Sequence, residues 1–240
     1  MPYPIERKLV IAVSSSALFD LSESHAVFIE SGPKAYKVFQ EKNLNNVLRK
    51  GVAFPFIRRF LQINNRFPEK LPVEVILLSR NSAATGRRVF RSIQHYNLNI
   101  SRAAFVEGKS PYEYIPAFNA SLFLSANEED IQKAINAGYP GGLVLPSQII
   151  NDDESDELRI AFDFDGVIAG DESETVYQNG DLPAFHNFEV EHSAIPHKPG
   201  PLADLFKKLS FLQKLEDREL ERDREYKRII TTAIVTARNA

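Results

Sequence analysis

The stretch RIAFDFDGVIAG, residues 159–170, is the one from which the rest of the chain can be read. An apolar run ends in two aspartates one residue apart, Asp163 and Asp165, and Gly166 and Val167 follow at once. Side chains alternate between the faces of a strand, so both aspartates share one side and Phe164 turns to the other. At the carboxyl end of a parallel strand, that side opens on the crevice where α/β sheets bind ligands. Two acids held so close repel each other unless positive charge sits near them. A divalent cation meets that need, and hard oxygen donors suit Mg²⁺, which also tends to bind substrate phosphate. A solvated pair of loop acids is the plain alternative for any DxD. The strand before the pair and the glycine after it favour the metal reading.

Three further runs have the same character: KLVIAV (8–13), VEVILLS (73–79) and TTAIVT (231–236). Helical segments lie between them: SGPKAYKVFQEKNL (31–44), FPFIRRFLQIN (54–64), ATGRRVFRSIQHYN (84–97), NEEDIQKAINAG (127–138) and the long segment from Gly200 to Lys227. Ser125 or Asn127 caps the start of the fourth helix and Gly138 stops it. Strands alternating with helices predict an α/β fold on a mostly parallel sheet. The polar, acidic stretch PSQIINDDESDE (146–157) reads as an exposed linker, dividing the chain into units over 1–148 and 157–240. The charge run KLEDRELERDREYKR (214–228) mixes signs at helical spacing and reads as a solvated helix.

The two units read as copies of one plan. LVIAVSSSALFDLSESHAVF (9–28) lies over LRIAFDFDGVIAGDESETVY (158–177) without a gap, matching Leu9 with Leu158, Ile11 with Ile160, Ala12 with Ala161, Glu23 with Glu172, Ser24 with Ser173 and Val27 with Val176. Each copy continues into a Pro-led amphipathic segment, FPFIRRFL or GPLADLFKKL, and then into a strand ending in a hydroxyl residue, Ser79 or Thr236. The first copy has Ser14 and Ser16 where the second has Asp163 and Asp165, so it lacks the acids and is expected to be catalytically silent.

With 29 Lys and Arg against 32 Asp and Glu, a net charge of −3 gives no reason to expect nucleic acid as the main ligand. There is no cysteine, which excludes disulfides and thiolate metal sites. The N-terminal apolar run is too short and too interrupted by serines to span a bilayer, and it lacks a clear cleavage site. A cytoplasmic protein that does not engage membranes is expected.

The segment DFDGV resembles motif I of the haloacid dehalogenase superfamily of phosphotransferases. A closer resemblance runs along nearly the whole chain: VSSSALFD, FPFI, HYNL, LFLSA, AFDFDGVIAGDESE and VTAR, in this order, are similar to the class I cytosolic 5′-nucleotidases. The resemblance implies a Rossmann-like three-layer parallel sheet and Mg²⁺-dependent release of phosphate from nucleoside monophosphates, AMP among them. It implies that Asp163 is the nucleophile forming an aspartyl-phosphate. It makes Asp165 the general acid and then base, and Thr236 the hydroxyl that bonds a phosphoryl oxygen.

Asp163 and Asp165 would also hold the metal. In that family an insertion after motif I contributes to the substrate site, here at about 171–200, and the resemblance implies substrate contacts from Glu172, Ser173, Glu174, Lys198 and Arg238. The insertion also holds His186, His192 and His197, whose spacing fits no common zinc site. By comparison with the first copy, the second unit is expected to be incomplete at Ala240, the chain being a fragment of a longer enzyme. Lys109, and Ser125 with Ala126, stand near where the superfamily's lysine and distal acids would fall in the first copy. That copy could bind a nucleotide effector through Ser79, Asn81 and Arg87, although ordinary helix capping explains those residues equally well, and a homo-oligomer is left open. A non-catalytic nucleotide-binding or interaction module, and an enzyme acting on another phosphate ester, remain as alternative readings.

Overall fold

The computed structural model describes residues 4–147, 155–170 and 198–236. They form two compact units, 1–156 and 157–240.

In the first unit, β1 (Leu9–Ser14), β2 (Val73–Ser79), β3 (Ala103–Phe105), β4 (Leu122–Ser125) and β5 (Gly141–Leu143) make one parallel sheet in the order β3-β2-β1-β4-β5. Helices α1 (Ser15–Leu18), α2 (Ser22–Lys42), α3 (Phe54–Arg66), α4 (Arg87–His95) and α5 (Glu128–Asn136) lie between the strands in sequence. This is an α/β, Rossmann-like arrangement. Chain order reverses direction at β1, so the crevice between β1 and β4 is the topological switch point.

Both faces of this sheet are covered. Val10, Ala12, Ile76, Leu78 and Phe123 form one core cluster with Ile131 and Ala134 of α5. By alternation Leu9, Ile11 and Val13 face the other way, and they too are fully buried. Helix α3 packs on β2, and the amide of its buried Asn64 donates to Val73 O and accepts from Val73 N–H at 2.9 and 3.0 Å. The end of α3 is thereby tied to the first residue of β2. Helix α2 starts well before the expected Ser31 and is broken at Gly32, φ 76°, ahead of Pro33. Glycine supplies the left-handed turn there, and proline then opens the second half.

The second unit contains β6 (Leu158–Asp163), β7 (Ile230–Val235) and the crossover helix α6 (Ala203–Arg222). The two strands are parallel. Helix α6 buries Leu205, Leu209, Leu212 and Leu215, and Phe206 meets Phe162 edge-on at 5.6 Å. It ends at Arg222, short of the expected Lys227, because the chain turns at Asp223 to enter β7.

Candidate active site

Asp163 ends β6 in an extended conformation, φ −69° and ψ 148°, and Asp165 is extended as well, φ −75° and ψ 130°. Gly166 then takes φ 69°, a left-handed conformation that side chains rarely adopt, and opens a wide turn over Phe164–Ile168. The strand therefore delivers both carboxylates before the chain bends away. Asp163 is exposed and makes no capping bond to the turn that follows it, while Asp165 is half-buried.

The end of β1 in the first unit carries serines instead. Ser14 has nearly the same backbone angles, φ −76° and ψ 154°, but its hydroxyl accepts from Ala17 N–H at 3.1 Å and caps α1. Ser16 Oγ lies 3.1 Å from Ser14 Oγ. The strand registers agree as well. Leu9 pairs with Val73 and Ser14 with Leu78, while Leu158 pairs with Ile230 and Asp163 with Val235. Ser79 and Thr236 each come one residue beyond the partner of the strand-ending residue.

The chain leaves the motif at Gly170 and returns at Lys198. Ala169 and Pro199 form an antiparallel bridge, Gly170 N–H donates to Lys198 O at 2.8 Å, and Gly200 N–H donates to Ile168 O at 2.7 Å. Lys198 is thus brought beside the turn that carries Asp165, and it is exposed. Glu172, Ser173, Glu174, Arg238 and the histidines 186, 192 and 197 lie outside the described residues.

Among the described residues no three acidic or histidine side chains gather into a metal cage. Among the described residues the carboxylates at this place are those of Asp163 and Asp165, donors that suit a small hard cation completing its shell with water and phosphate.

In the first unit Ser79 and Asn81 bond inward. Ser79 Oγ lies 2.9 Å from Ser15 Oγ, and Asn81 Nδ2 donates to Ser79 Oγ at 3.1 Å. Arg80 holds the buried Asp130 of α5 through Nε and Nη2 at 2.7–3.1 Å, and Arg87 is exposed. The buried Glu216 in α6 was hidden in the sequence by the charge run around it. The signal that could have found it is the spacing Leu205, Leu209, Leu212, Glu216, which continues the apolar stripe.

The chain belongs to the 5′-nucleotidase family, whose model matches residues 1–240. It is 31% identical over 246 residues to human cytosolic 5′-nucleotidase 1B, a match covering 100% of this chain and 40% of that protein. The chain therefore spans less than half the length of this curated relative. No solved structure matches it. No described helix is long and apolar enough to cross a membrane.

Proposed function

We propose that the full-length protein is a Mg²⁺-dependent, cytoplasmic phosphoric monoester hydrolase that releases phosphate from nucleoside 5′-monophosphates such as AMP. Membership of the 5′-nucleotidase family supports the reaction class. The observation that carries the residue roles is the ending of β6, where two extended aspartates precede a glycine turn and Thr236 stands one residue past the partner of Asp163.

In this reading the Asp163 carboxylate attacks phosphorus as the bond to the nucleoside 5′ oxygen breaks, giving an aspartyl-phosphate. Asp165 gives its proton to the leaving oxygen, and then takes one from the water that attacks phosphorus, which frees phosphate and restores Asp163. The Thr236 hydroxyl donates to a phosphoryl oxygen, where charge changes most. Lys198, with Glu172, Ser173, Glu174 and Arg238, serves the substrate side. Asp163 and Asp165 would hold Mg²⁺, which would supply positive charge against that of the phosphate. The first unit is silent in this scheme, since Ser14 offers no carboxylate and its hydroxyl caps α1.

Phosphate release from AMP by the full-length protein tests the reading. Asp163→Asn is expected to lower kcat by at least about a thousandfold, and Asp165→Asn by roughly a hundredfold to ten-thousandfold. Undiminished release by Asp163→Asn would overturn it.

A further inference from the structure

Glu216 is fully buried on the face of α6 that packs against the strands. Its Oε1 accepts from Ile229 N–H at 2.8 Å and from the Tyr226 hydroxyl at 3.2 Å, and its Oε2 accepts from Ile230 N–H at 3.3 Å. Arg228, next to this segment, pairs instead with Asp217 at 2.6 Å. A carboxylate taken out of water costs several kcal/mol unless donors surround it. Here they come from two consecutive backbone amides and one phenol.

The consecutive amides are informative. Within a regular strand, adjacent N–H groups point to opposite sides, so one carboxylate cannot hold both. Such a fork forms only where the chain is still entering the sheet, and it marks the entry point of β7. Beside it Leu158 N–H donates to Ile229 O at 2.6 Å, and the pairing then runs unbroken from Leu158–Ile230 to Asp163–Val235.

The leucine stripe of α6 selects which face of β7 is buried, and polar ties add a fixed point along the strand. A slip of one residue would put another residue where Thr236 stands and turn every side chain of β7 to the other face. One further polar tie from α6, Gln213 Nε2 to Thr232 Oγ1 at 3.1 Å, helps hold the same alignment.

We infer that Glu216 is a positioning residue: by forking the amides of Ile229 and Ile230 it sets the register of β7, and so the place of Thr236 beside Asp163. This rests on the roles proposed above for those two residues. The nucleotidase site thus has a support at the opposite end of its strand, in a segment whose sequence reads as solvent-facing.

The test uses the full-length protein with AMP and Mg²⁺, and variants Glu216→Gln and Tyr226→Phe in wild-type and Thr236→Val backgrounds. The Gln side chain keeps the shape but turns an NH₂ toward one of the two amides. The Phe variant removes one donor and leaves the fork.

With Thr236 present, Glu216→Gln is expected to lower kcat about tenfold with KM within about twofold, and Tyr226→Phe about threefold. With Thr236→Val, Glu216→Gln should cost less than about twofold, because residues acting through one another are not additive. Equal losses in both backgrounds, or an unchanged kcat, would overturn the inference.

Amide hydrogen exchange over Ile230–Val235 supplies a readout independent of hydrolysis. It should be about tenfold faster in Glu216→Gln, and an unchanged rate would contradict the pin. Should the wild-type protein release no phosphate, the reading of the site fails, and the exchange rates still decide the claim about register.

Discussion

Ser14 and Asp163 each end a strand with backbone angles that agree within 7°, yet the Ser14 hydroxyl caps a helix while Asp163 makes no capping bond. Removing that cap with Ser14→Ala should cost the first unit about 1 kcal/mol, read as a lower midpoint in urea. Glu216 gives a residue-scale prediction in pH. Burial lifts its carboxyl above the ordinary 4.5, against the bonds from Ile229, Tyr226 and Ile230 and the charge of Arg228. The fold then favours the protonated form. The group's contribution to stability is complete below pH 4.5 and is lost as pH rises through the raised value. The urea midpoint of the wild type relative to Glu216→Gln is therefore expected to fall as pH rises above 4.5, and a constant difference would contradict it. The strand ending at Asp163 was legible from the apolar run before it, and the structure ends β6 there. Glu216 was not legible, because its neighbours Asp217, Arg218 and Glu219 are ordinary solvated charges and local composition does not report burial.

At the scale of elements, the turn after β6 depends on one close approach. A Cβ at Gly200 would lie 2.5 Å from the carbonyl oxygens of Val167 and Ala169. Gly200→Ala must therefore displace the turn that carries Asp165, and kcat for AMP should fall by about tenfold or more; an unchanged rate would show that the turn can yield. In the first unit Arg80→Ala leaves the carboxylate of Asp130, 3% exposed, without its guanidinium. The cost should be roughly 3 kcal/mol, at the low end for one member of a buried pair because Arg80 itself is one-third exposed. Strands β1, β2, β6 and β7 and the bodies of α3, α4, α5 and α6 were legible from their apolar periods. Strands β3 and β5, three residues each, are too short to show any period. The first half of α2 was missed because Gly32 and Pro33 read as a boundary, whereas the chain is helical on both sides of the kink.

At the scale of the molecule, one unit has a five-stranded sheet and the other pairs two strands among its described residues. The matching registers support the proposal that one α/β plan is used twice, the first time without its acids. Residues 1–156 enclose a core of their own and should unfold in urea as a single cooperative transition when expressed alone. Ile234 and Val235 of β7 are 48% and 61% exposed, so the 240-residue chain should bind an apolar dye more strongly than that piece does. The alternation of strands and helices made this architecture readable from the sequence. Strand order was not, because it depends on contacts between residues far apart in the chain.

The most direct measurement is an acid quench of the full-length protein during turnover of AMP carrying labelled phosphate, followed by mass spectrometry of its peptides. The account predicts label on the peptide holding Asp163, absent in Asp163→Asn. Continued phosphate release by Asp163→Asn, with no labelled aspartate in the wild type, would contradict it.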